Sequence, residues 1–169
     1  MANEERLRAW FESVDVQGAG QINGSDLKKA LAAGNLHFSD SVAQQMIRMH
    51  DADRNGIMSF AEFVALNKFL SNVQNAYIVV ERGRGFLTLN DVYEALTMSG
   101  YALDQPAFYT LCESFDETKK GRFRLDDFIS LCIFVQSARN LFTSYDTTGQ
   151  GRVSLDFNQF VYCAASCRI

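Results

Sequence analysis

Twelve consecutive residues, Asp51-Ala52-Asp53-Arg54-Asn55-Gly56-Ile57-Met58-Ser59-Phe60-Ala61-Glu62, carry oxygen-bearing side chains at alternate positions and close on a glutamate. The chemistry this spacing supports is capture of a hard divalent cation. Calcium takes about six to eight oxygen ligands, and the stretch matches the calcium-loop template D-x-[DN]-x-[DN]-G-x5-E at every specified position. Asp51, Asp53 and Asn55 offer side-chain oxygens, Ile57 its carbonyl, Ser59 a hydroxyl or a bridging water, and Glu62 a two-oxygen carboxylate. Gly56 permits the sharp turn between them. The alternative, an acidic turn between two helices, leaves the matched positions unexplained.

Those residues need a helix on each side to hold them. Val42, Met46, Ile47 and Met49 before the loop, and Phe63, Leu66, Phe69, Leu70 and Val73 after it, recur at helical spacing. The architectural positions of the loop, its sixth-place glycine and the apolar residue two places later, occur five times. The glycines are Gly20, Gly56, Gly85, Gly121 and Gly151, and the apolar residues Ile22, Met58, Leu87, Phe123 and Val153. Successive glycines are 36, 29, 36 and 30 positions apart. A short separation has room for one helix, shared by the units on either side, and predicts long helices over 60–79 and 125–145. A long separation holds two helices and a linker: 25–33 and 39–50 around Gly34-Asn35, and 90–99 and 104–115 around Gly100-Tyr101. Ser39 and Asp104 suit N-caps, and Pro106 suits a first turn.

A first helix over 3–14, with Leu7, Trp10, Phe11 and Val14 on one side, and a last over 156–166 bring the total to eight. The expected fold is all-α: a single domain over 1–169 made of five helix-loop-helix units, with loops at 15–26, 51–62, 80–91, 116–127 and 146–157. Short β-bridges are expected to pair the first loop with the second and the third with the fourth. The fifth unit then has an unpaired bridge strand and an uncovered helix face bearing Phe157, Phe160, Val161 and Ala164. A two-fold homodimer through fifth units buries both.

The other four loops depart from the template. In the first, Gln17 and Ala19 replace ligand positions and Asp26 replaces the closing glutamate, a shorter carboxylate that favours a smaller ion. Weak calcium or magnesium binding and an empty structural loop both fit it. The third has Val80, Arg82 and Arg84 at its first, third and fifth places, and guanidiniums there repel a divalent cation. The fourth keeps Asp116 and Asp127 but has Thr118 and Lys120 between them, and the fifth ends in Phe157, which coordinates nothing. Arg82, Arg84, Lys119, Lys120, Arg122 and Arg124 make the third and fourth loops basic. An anionic membrane or acidic partner could use them, as could plain solvation.

Composition bounds the rest. The chain has 169 residues, 47% of them hydrophobic, and one proline, enough for a real core. A net charge of -4 argues against nucleic acid as a partner. The start, 1–8, is charged rather than an apolar leader, and no apolar run is long enough to span a bilayer. Cys112, Cys132, Cys163 and Cys167 lack metal spacing and read as reduced thiols, which leads to the expectation of a cytoplasmic protein. No histidine is placed to activate a cysteine, and no phosphate-binding glycine loop occurs, so an enzyme is not expected.

Five loops at this long-short spacing, two shared helices and an odd fifth unit resemble the penta-EF-hand family over the whole chain. Segments 26–31, 115–116, 126–129 and 141–146 look most like its programmed-cell-death branch. The resemblance implies an all-helical homodimer or heterodimer that exposes apolar surface with calcium and recruits protein partners or membranes. This chain departs from the family in having weakened the first loop, lost the third and completed the second. The leading expectation is a calcium-responsive adaptor, with Phe69, Val73 and Tyr77 as candidate partner surface or plain core. A constitutive scaffold dimer, in which calcium only stabilises the fold, is the alternative.

Overall fold

Helix starts in this chain follow its capping residues. The computed structural model describes residues 2–51, 53–116 and 118–167. It contains, in order, α1 (Ala2–Val14), β1 (Gln21–Ile22), α2 (Gly24–Ala33), α3 (Asp40–His50), β2 (Met58–Ser59), α4 (Phe60–Glu81), α5 (Leu89–Met98), α6 (Gln105–Phe115), α7 (Leu125–Tyr145) and α8 (Phe157–Ser166). Ser39 and Asp104 cap α3 and α6 through their side-chain oxygens, as expected of them. The eight helices and the short bridges match the all-α reading, with α4 running two residues beyond 79.

In the first three units the ninth and twelfth loop residues close a capping box, each satisfying an amide the helix start leaves unpaired. The pairs are Asn23 with Asp26 at α2, Ser59 with Glu62 at α4, and Thr88 with Asp91 at α5. At α7, Asp127 Oδ2 accepts from the Arg124 amide at 2.9 Å. The fifth unit differs. Its twelfth residue, Phe157, has no acceptor, and the box forms two residues later between Asp156 and Gln159, so α8 begins late.

The loops pair as expected. Gln21 and Ile22 lie antiparallel to Ser59 and Met58, and Leu87 bridges Phe123 through two amide hydrogen bonds of 2.8 and 2.9 Å. Ile22, Met58, Leu87 and Phe123 are all fully buried. Around these bridges one core runs from α1 to α7. Trp10 and Phe11 meet Phe63 edge-on at 5.4 Å, fastening α1 to α4, and the Trp10 indole donates to the Ala30 carbonyl. Helix α3 packs on α7, where Gln45 Nε2 donates to Ser137 Oγ at 2.9 Å inside the interface.

Helix α8 contributes no buried residue to this core. Phe157 is 79% exposed, Phe160 61% and Val161 47%. Val73 and Tyr77, by contrast, are buried, and Phe69 is half-buried against the core. The candidate partner surface on α4 is therefore core. The large apolar side chains α4 does expose are Ile78 and Val79, near its C-terminal end.

Candidate metal centre

The loop from Asp51 to Glu62 is folded around its first carboxylate. Asp51 accepts from the amides of Asn55 at 3.0 Å and Gly56 at 2.9 Å, and Gly56 reaches that place with φ of 74°. The first, fourth and fifth loops wrap in the same way, with Asp15, Asp116 and Asp146 each accepting from the fifth- and sixth-place amides. Burial alone raises the Asp51 carboxyl, but the hydrogen bonds from Gly56 and its neighbours outweigh it and leave the group below its ordinary value. It is ionised at neutral pH.

Asp53 and Glu62 complete the cluster. One carboxylate oxygen from each of Asp51, Asp53 and Glu62 lies within 4.8 Å of the other two, the single group of three such acids among the described residues. Asn55 sits between them, its amide nitrogen on Asp53 Oδ2 at 2.8 Å and its oxygen accepting from the Ile57 amide. Ser59 donates its hydroxyl to Glu62 Oε2 at 2.9 Å. Every donor here is an oxygen, and no cysteine or imidazole belongs to the group. That set fits calcium or another hard divalent ion and gives soft metals nothing to bind.

Beside it, His50 closes α3. Burial pushes its imidazole down, against the upward pull of Glu62, and Nε2 is buried without a hydrogen-bond partner among the described residues.

The third loop is where sequence reasoning missed most. Arg84, expected only to repel a cation, folds back over its own loop and donates to Asp91 Oδ2 at 2.7 Å, to the Val80 carbonyl at 3.1 Å and to the Glu81 carbonyl at 3.0 Å. Glu81, one place after Val80, accepts from the Gly83 and Gly85 amides and takes over the wrapping role of the missing first-place aspartate. Arg82 stands outward, 4.0 Å from Glu94. The only hint in the sequence was an acid directly after the lost first ligand.

The six cations of loops three and four do not make a bare basic face. Arg84 is paired with Asp91, Lys119 donates to the Glu113 carbonyl, and Arg122 stacks over Phe86 at 4.7 Å. The four cysteines are free thiols. Burial pushes Cys112 up to about 12, with Asp116 adding to it, and pushes Cys132 in the same direction, so both are protonated at neutral pH. Among the described residues no helix is long and apolar enough to cross a membrane.

Known proteins are similar to this chain. Residues 4–67 match the family model of the EF-hand domain pair. The chain is 35% identical over 162 residues to peflin of Mus musculus, covering 94% of itself and 58% of that protein, so it spans little more than half of such relatives. It is 32% identical to sorcin of Schistosoma japonicum, covering 94% of itself and 93% of sorcin. A solved structure of a homolog of programmed cell death 6 protein from Leishmania major Friedlin superposes with a TM-score of 0.68 at 32% identity, over 96% of this chain and 90% of that one. With its loops folded on one plan and both this sorcin and the solved homolog matched almost end to end, the chain belongs to the penta-EF-hand family of calcium-binding proteins.

Proposed function

We propose that this chain is a calcium-responsive adaptor, with the second loop as its sensor and Asp51, Asp53, Asn55, Ile57, Ser59 and Glu62 as its ligands. The observation that carries the reading is the convergence of Asp51, Asp53 and Glu62 at the start of α4. Calcium, when bound, supplies a divalent charge that needs oxygens from both sides of the loop. Glu62 is at once a ligand and the cap of α4, so its position and that of the helix are tied. Helix α4 is 22 residues long and ends inside the third loop, and α3 leans on α7 through Gln45 and Ser137. A shift at Glu62 therefore has two routes to the other half of the molecule.

The output is a change in exposed apolar surface that recruits protein partners. Proteins are preferred to membranes because Arg84, Lys119 and Arg122, half of the cations of loops three and four, are engaged within the chain. The bare apolar face of α8 serves a homodimer through fifth units, where Phe157, Phe160 and Val161 find the cover they lack in one chain. A mass that stays monomeric across micromolar concentrations in sedimentation would rule that dimer out.

The test of the sensor is calorimetric titration of the whole chain with calcium in physiological magnesium. One site per chain is expected, with a Kd on the order of 10⁻⁷ to 10⁻⁵ M, absent from Glu62→Gln. Binding that survives this substitution overturns the ligand assignment. The second reading, a constitutive scaffold, is favoured by the hydrogen-bonded closure of the metal-poor loops. Apolar-dye fluorescence separates the two: a rise with calcium supports the adaptor, and no change supports the scaffold.

A further inference from the structure

We propose that Arg84 is the third loop's own cation, a guanidinium that closes units three and four without metal. An ion in such a loop would gather a first-place oxygen, a mid-loop oxygen and the twelfth-place carboxylate. Arg84 gathers a comparable set from the fifth place: the Val80 carbonyl at 3.1 Å, the Glu81 carbonyl at 3.0 Å and Asp91 Oδ2 at 2.7 Å. A guanidinium suits this task, since its planar fork presents several donors at once and keeps its charge at any physiological pH.

Two further features support the assignment. Glu81 wraps the Gly83 and Gly85 amides, so the loop backbone is organised without a first-place aspartate. Asp91 is only 13% exposed and is also the cap of α5, so the pair joins both helices of the unit across the loop. The guanidinium of Arg84 faces the twelfth-place carboxylate of Asp91 while the Glu81 carboxylate is taken up by backbone amides, whereas the second loop gathers three carboxylates at one point. Loops three and four, bridged through Leu87 and Phe123, thus form a half whose closure is insensitive to calcium. This holds whether or not the second loop is the sensor.

Amide hydrogen exchange on the whole chain, in chelator and in calcium, tests it at Leu87 and Phe123, whose amides make the bridge. In the wild type their protection is expected to be equal in both conditions. Arg84→Gln in chelator should speed their exchange about tenfold or more, the scale of a charge-assisted hydrogen bond, while β1 and β2 keep theirs. Arg84→Lys, which keeps the charge but loses the fork, should recover part of the protection. Protection that appears in the wild type only with calcium overturns the proposal without any variant. So do unchanged exchange in Arg84→Gln, an equal loss at β1 and β2, or no recovery with lysine.

Discussion

Helix α4 has a loop at each end, and the two solve one problem with opposite chemistry. Around its first turn, Asp51, Asp53 and Glu62 bring three carboxylates to one point. At its last turn, the loop from Val80 to Asp91 sets its twelfth-place carboxylate against the guanidinium of Arg84. Both loops turn on a glycine with positive φ, 74° at Gly56 and 81° at Gly85, and both lead into a helix capped by a hydroxyl and a twelfth-place acid. The lesson concerns that acid. It persists in loops that have lost their other ligands because it is also a helix cap, so its presence alone says little about metal. The first, third and fifth places carry the information.

The comparison is broken most directly at the twelfth place. Glu62→Gln should lower calcium affinity by more than about 100-fold, beyond the loss typical of groups that merely support a ligand. Asp91→Asn should leave the same calorimetric titration unaltered, and a weakened titration there would mean that the third loop binds calcium.

A smaller effect is expected at the glycines. A Cβ at either one meets nothing within 4 Å, so only backbone strain counts. Gly56→Ala and Gly85→Ala should each cost about 1–2 kcal/mol in thermal unfolding in chelator. Calcium affinity should fall only for Gly56→Ala.

The caps come next. Ser59→Ala and Thr88→Ala should each cost about 1 kcal/mol by chemical denaturation in chelator. Added calcium should widen the deficit for Ser59→Ala and leave that of Thr88→Ala as it was.

The smallest effect is on pH dependence. Burial raises the Asp91 carboxyl, but the hydrogen bonds from Thr88 and the guanidinium of Arg84 outweigh it and hold the group below its ordinary value. A carboxyl depressed in the folded state contributes stability that is present above its unfolded pKa of about 4 and lost as pH falls through the folded value. Acid titration of stability should therefore fall less steeply below about pH 4 in Asp91→Asn than in the wild type. Equal slopes would remove Asp91 from the acid response.

Much of the fold was legible because its signals are local. Ser39 and Asp104 announce helix starts through their own side chains, and the glycine spacing announces the shared helices. Ile22, Met58, Leu87 and Phe123 are a fixed distance from those glycines, so the bridges followed too. The late start of α8 was missed by a single residue, Asp156, which caps the helix rather than opening it. Residues on α4 were harder. The helix is apolar on several sides, and periodicity names a stripe without saying whether it faces core or solvent. Val73 and Tyr77 went inward, and Ile78 and Val79 outward.

The sequence by itself determined the repeat, the caps and the order of ligand types in each loop, since all three are set by neighbours within about a dozen residues. Tertiary structure decided what those neighbours could not. It buried Gln45 against Ser137 across 92 positions and left α8 without a buried residue. Those outcomes depend on which helix faces pack together, and packing is settled by the shape and burial of the whole core rather than by any one segment.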